Sequence, residues 1–144
     1  MPEIVNQQRK INIDLQIFKE FAHAAVETIA EARGKTLTIA FVSDAQMKKL
    51  NSDFRGKSTT TDVLSFPHEA NEFDFEPEQN NLGDIAISIE QAQKQAAENN
   101  LSLELEVKQL ILHGILHLCG FDHATDNGEM NARELELRDK LGIS

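Results

Sequence analysis

Leu110-Ile111-Leu112-His113-Gly114-Ile115-Leu116-His117-Leu118-Cys119-Gly120-Phe121-Asp122-His123 is the stretch on which the reading of this chain turns. Its apolar run from Leu110 to Cys119 is broken by two histidines. Ser102 can cap a helix that continues through Leu118. Gly120 then fits a left-handed helix end, because glycine has no Cβ to clash there. His113 and His117 stand four residues apart, a rotation of about 40° and a rise of about 6 Å. Both imidazoles therefore lie on one helix face. The reversal at Gly120 returns the chain, and His123 with it, towards the pair. Three neutral imidazoles can hold one zinc ion and leave its fourth tetrahedral position to water, the pattern of catalytic zinc sites. Water in that position can have a pKa near 7. The alternative is that each histidine is a hydrogen-bonded core residue. Two imidazoles among Leu110, Ile111, Leu112, Ile115 and Leu116 are costly to bury without partners. Their spacing, with glycine at the turn, favours the metal.

The three histidines and the glycine match the metzincin protease pattern H-E-x-x-H-x-x-G-x-x-H. The residue after the first histidine does not. Metzincins carry there a glutamate that acts as general base, and this chain has Gly114. Proteolysis would need a base from elsewhere.

Outward from this helix, strands and helices interleave. Ile4 to Ile11 can hold a short strand. Leu15, Phe18, Phe21, Ala22, Ala25, Val26 and Ile29 recur at helical spacing, ending near Gly34. Thr36 to Val42 is a β-branched strand. Ser43 and Gln46 form a capping-box pattern opening a helix through Phe54. Gly56 to Thr61 reads as a loop, and Asp62 to Phe66 as a strand stopped by Pro67. Residues 68–81 are acidic and Asn-rich and read as a mobile loop. Gly83 to Ile87 is a further strand. Ser88 and Gln91 repeat the capping-box pattern ahead of a helix to about Asn99. A last helix is expected from about Asp126 to Leu141, with Asp126 and Glu129 suited to its N-terminal turn. The expectation is an α+β fold, one domain over residues 1–144, with a small mixed sheet of about four strands covered by about five helices. Strand order does not follow from this pattern.

The chain has 144 residues, enough to bury a core without disulfides. A lone cysteine, Cys119, cannot form an internal disulfide. The N-terminal Met1-Pro2-Glu3-Ile4 lacks signal-peptide character, and no apolar run reaches the roughly 20 residues that span a bilayer. A cytoplasmic protein without a membrane partner is expected. The net charge of −10 argues against nonspecific adhesion to nucleic acid. The charge is uneven, however. Lys48, Lys49, Arg55 and Lys57 are opposed locally by Asp53, whereas Glu69, Glu72, Asp74, Glu76 and Glu78 enclose no basic residue.

The segment from His113 to His123 closely resembles the signature of the YbeY family of bacterial endoribonucleases and rRNA maturation factors. Asn51-Ser52-Asp53-Phe54-Arg55-Gly56-Lys57, continuing into Thr61-Asp62-Val63-Leu64-Ser65-Phe66-Pro67, matches too, as does Leu82-Gly83-Asp84-Ile85-Ala86-Ile87-Ser88. The resemblance covers residues from about 45 to 140 by motif. It implies a metal-dependent hydrolase acting on single-stranded RNA in 16S rRNA 3′-end maturation and ribosome quality control. It further implies zinc on His113, His117 and His123, a functional arginine at Arg55, and the ribosome or its proteins as partners. Two alternatives stay open: a metzincin-like protease, and a ribosome-associated binding factor with a structural zinc. Oligomeric state is not indicated.

Among other residues, Arg55 offers planar paired donors to a phosphate. Lys57 can extend that contact or be merely solvated. Asp122 can orient a ligating imidazole or cap the turn. Asp62 and Ser65 lie near the arginine loop, where a structural role is favoured. Cys119, roughly 200° from His117 around the helix, reads as a core residue. Met130 can pack beneath the metal or simply in the core. His23 and His68 lie outside the constellation.

Overall fold

The computed structural model describes residues 2–68, 80–121 and 128–143. In chain order these form β1 (Glu3–Asn6), α1 (Leu15–Thr28), β2 (Thr36–Val42), α2 (Asp44–Arg55), β3 (Val63–Pro67), β4 (Asn81–Ser88), α3 (Ile89–Glu98), α4 (Leu103–Leu118) and α5 (Glu129–Lys140), with a 3₁₀ turn at Ala30–Ala32. The sheet order is β1-β2-β4-β3. β1, β2 and β4 run parallel, and β3 is antiparallel to β4. The fold is α+β with a mixed sheet, as expected.

Alternation along β2 sorts the two faces. Leu37, Ile39 and Phe41 turn into the main core with Ile85 and Ile87 of β4, against α1 and α4. Val42 and Ala86 join Met47 and Leu64 in a smaller cluster beneath α2. Beside that cluster, the α2 face of the sheet bears a cleft of about 400 Å³ lined by Val5, Thr38, Ala40, Leu50, Phe54 and Phe66, among others.

Helix α4 is the centre of the fold. Leu110, Ile111, Leu112, Ile115, Leu116 and Leu118 are all buried. Each such side chain contributes about 1.5–3 kcal/mol. Gly114 lies where the helix meets the sheet: a Cβ there would stand 2.9 Å from two side-chain carbons of Ile85. Glycine is thus required by close approach, and a side chain at this position would run into β4. The helix ends as predicted. Gly120 has φ +99°, its N–H donates to His117 O, and Phe121 N–H donates to Leu116 O at 3.1 Å, the paired bonds of a Schellman turn.

Two boundaries and one cap differ from the sequence reading. β1 stops at Asn6 rather than running to Ile11, because the buried Gln8 side chain bonds Ile11 at both its carbonyl and its N–H and turns the chain. α5 begins at Glu129, with Gly128 at its N-cap; Asp126 lies outside the described residues. The Ser43–Gln46 capping box forms in full. At Ser88 only half forms. The hydroxyl accepts from Gln91 N–H, but the Ser88 N–H is taken by Asp62 O and the Gln91 amide donates to Asp44. Asp44 also accepts from the Ser88 hydroxyl, while its own N–H donates to Glu90 of α3. The N-termini of α2 and α3 thus exchange carboxylates, each placed where a helix start favours negative charge.

The acidic stretch expected to be a mobile loop falls, from residue 69 to 79, outside the described residues. No helix among those described is long and apolar enough to cross a membrane.

Candidate active site

His113 and His117 project from adjacent turns of α4, and their Nε2 atoms lie 3.0 Å apart. Two imidazole nitrogens each about 2.05 Å from a tetrahedral ion would stand about 3.3 Å apart. The pair is therefore within a few tenths of an ångström of two corners of such a site. The Nδ1 of His113 lies 2.8 Å from Glu134 Oε1 on α5, which leaves His113 Nε2 as the nitrogen that faces His117. Both rings are half-buried. The expected third ligand, His123, and its neighbour Asp122 lie outside the described residues. Among the described residues, no three His, Cys, Asp or Glu side chains are grouped to hold a metal.

Arg55 reaches the same place from the last turn of α2. It lines a cavity of about 270 Å³ with Asp62, Val63, Leu64, Ser65, His113 and His117. Gly56 closes α2 in the left-handed region at φ +67°, so the chain turns immediately after the arginine. Arg55 is exposed, as are Lys48, Lys49 and Lys57. The sequence stretches around Arg55 and His113, far apart in the chain, thus open on one space.

Asp62 and Ser65, expected to be mainly structural, line this cavity as well. The Ser65 hydroxyl makes a long bond of 3.4 Å to Gly114 O. Asp62 accepts from Val63 N–H at 2.8 Å. The Gln95 amide nitrogen, oriented by the acceptors around it, donates to Asp62 Oδ2 at 3.1 Å and Glu106 Oε1 at 3.0 Å. Burial pushes the Glu106 carboxyl above its usual range, the negative charge of Asp62 adds to this, and Arg138 opposes it. Asp62, Val63 and His113 also wall a second cavity of about 170 Å³, completed by Glu106, Gln109, Leu110 and Arg138.

Cys119 behaves as expected of a core neighbour. It packs against the main cluster, and burial foremost, then Glu31, pushes its thiol up to about 11. It therefore stays protonated at neutral pH. Met130 is fully buried in that cluster.

The sequence reading missed Glu134 and Arg138. Arg138 donates to Glu134 Oε2 at 2.9 Å, one helical turn along α5. A signal was available: Met130, Glu134 and Leu137 are the buried residues of α5. They recur at helical spacing, so a carboxylate occupies a position on the apolar stripe.

Three comparisons bear on this arrangement. The family described as Endoribonuclease YbeY matches residues 3–142. Endoribonuclease YbeY of Nautilia profundicola is 48% identical over 109 residues, 76% of this chain and 74% of that protein. Endoribonuclease YbeY of Syntrophomonas wolfei is 37% identical over 143 residues, 94% of this chain and 92% of that protein. A solution structure of a Thermotoga maritima protein superposes with a TM-score of 0.65 at 28% identity, covering 98% of this chain and 89% of that one.

Proposed function

The chain belongs to the YbeY endoribonuclease family, and we propose that it cleaves single-stranded RNA with one zinc ion held by His113, His117 and His123. Family membership supports a hydrolase of RNA phosphodiester bonds acting in rRNA processing. In the reading proposed here, its task is 16S rRNA 3′-end maturation and ribosome quality control in the cytoplasm, with ribosomal partners. The observation that carries this reading is the shared cavity. Arg55 and the paired imidazoles face one space of about 270 Å³.

The chain's own residues divide the work. Glu134 sets the His113 ring with Nε2 towards His117. A zinc ion bound there would supply a Lewis acid at the phosphodiester and ease deprotonation of a nucleophile. Arg55 offers paired guanidinium donors to phosphate oxygens and to the charge that grows on them during cleavage. Asp62 repels an anion from its own wall, which leaves the Arg55 side as the phosphate seat. Lys48 and Lys49 stand on the same helix as Arg55, Lys57 follows it by two residues, and all three are exposed. This local supply offsets a chain charge of −10. Gly114 removes the metzincin general base, and the space beside it is filled by Ile85, which disfavours a protease.

Metal analysis of the purified protein, paired with RNA cleavage by wild type and His117→Ala, tests the proposal. Wild type should carry about one zinc and cleave. His117→Ala should do neither. Full nuclease activity from metal-free protein would sink the reading. End-group analysis identifies the nucleophile, because a 2′,3′-cyclic phosphate marks attack by the RNA's own 2′-hydroxyl.

A further inference from the structure

We infer that Glu134 and Arg138 are a positioning pair for His113. In this inference, which rests on the reading of His113 as a zinc ligand, the carboxylate fixes the tautomer and angle of the ring. The guanidinium holds the carboxylate on the outer side of the ring, where it cannot itself become a ligand.

The geometry assigns each atom a task. Glu134 Oε1 is 2.8 Å from His113 Nδ1. An ionised carboxylate only accepts, so Nδ1 carries the proton and Nε2 keeps its lone pair. That Nε2 is the atom 3.0 Å from His117 Nε2. Metal-binding histidines commonly need such a partner on the second nitrogen, and losing it typically costs about 10- to 100-fold in metal affinity.

Arg138 adds something the motif does not contain. A glutamate can bind zinc directly, and its side chain has enough torsional freedom to swing around an imidazole. Arg138 donates to Oε2 at 2.9 Å from one turn further along the same helix. With Oε1 on the ring and Oε2 on the guanidinium, both oxygens are directed away from the Nε2 side. Backbone placement reinforces this. The Glu134 side chain is 8% exposed, on the stripe that Met130 and Leu137 bury into the core.

Two measurements on the full-length protein test the pair. One is zinc affinity by competition with a chromophoric chelator. The other is long-range ¹H–¹⁵N correlation of the His113 ring in metal-free protein. Wild type should show the Nδ1–H tautomer. Glu134→Ala should lose that tautomer and bind zinc about 10- to 100-fold more weakly. Glu134→Gln, whose amide oxygen can still accept, should keep the tautomer with a smaller loss. Arg138→Met should weaken zinc binding, and Arg138→Lys should recover most of it. If Glu134→Ala unfolds, the Gln, Met and Lys variants carry the test. Wild-type zinc affinity in Glu134→Gln and Arg138→Met, with only a lowered melting temperature, would make the pair a structural ion pair and overturn the inference. His113→Ala separates the two layers: undiminished zinc binding in that variant overturns the metal reading itself.

Discussion

Helices α4 and α5 are joined by a hydrogen bond between His113 and Glu134, yet they reach it with opposite compositions. α4 is buried along most of its length, and nine of its residues have little contact with solvent. Its histidines inherit their positions from a backbone that the core holds on several sides. α5 is polar on most of its surface, and its buried residues are Met130, Glu134 and Leu137. Its contribution to the site is held by a carboxylate and the arginine beside it. The difference separates two ways of placing a functional group. Apolar packing fixes the backbone that carries a ligand, while a hydrogen-bonded ion pair sets the direction in which the ligand points. Damage to the first should cost fold and function together. Damage to the second should weaken metal binding more than it disturbs the fold.

The largest expected effect comes from α4. His117→Ala should abolish zinc retention and RNA cleavage with little change in far-ultraviolet circular dichroism; cleavage at the wild-type rate would break the comparison at once. Next is Cys119 at the end of the same helix. With its thiol near 11 against an ordinary 9.0, its thiolate fraction at pH 8 should be about a hundredfold below that of a free thiol. Iodoacetamide alkylation should slow accordingly, and a rate matching glutathione would show that the packing is looser than described. The sign for stability follows. The unfolded chain releases this proton near 9.0 and the folded chain near 11, so stability falls as pH rises through that window.

Gly114→Ala should destabilise the protein by about 1–3 kcal/mol through overpacking on Ile85, read from urea denaturation. Combining it with Ile85→Val should cost less than the sum of the two single changes. Strict additivity would mean that the contact does not set the helix-to-sheet distance. The smallest effect is expected at Glu106, where α4 carries its own buried carboxylate. Burial raises its pKa, so its charge opposes folding at neutral pH and ceases to do so below the ordinary carboxylate range. Glu106→Gln should therefore raise the melting temperature slightly at pH 7, with the gain vanishing towards pH 4.

How much could be read in advance follows the same division. α4, β2 and α2 announce themselves through local patterns: an apolar run, β-branched alternation, and a capping box whose two bonds both form. Gly120 is legible because a left-handed helix end asks for glycine. The departure at Gly114 is visible in the sequence, but its cause is a contact with Ile85, and contacts across the fold leave no local trace. The order β1-β2-β4-β3 is hidden for the same reason. Gln91 was read as half of a capping box because nothing nearby reveals that Asp44 would claim its amide. Glu134 and Arg138 sit in Arg133-Glu134-Leu135-Glu136-Leu137-Arg138, which looks like a solvated charged face. What distinguishes Glu134 is its register with Met130 and Leu137, and that clue carries weight only once a partner for the buried carboxylate is in view.

The exchange of carboxylates between the starts of α2 and α3 has a mechanical consequence. It anchors α2 at Asp44, while Arg55 rides at the opposite end, beside a Phe54 that is 67% exposed. The 12 residues of the helix make an arm of about 18 Å. A tilt of about 5° about the anchored end carries the guanidinium through about 1.6 Å over that length. Such a tilt is opposed at the far end, where Asn51 donates to Thr59 O at 2.8 Å and the Phe54 ring meets Phe66 edge-on at 5.2 Å. α2 is thus fastened at both ends, and the backbone that carries Arg55 is set before a phosphate arrives.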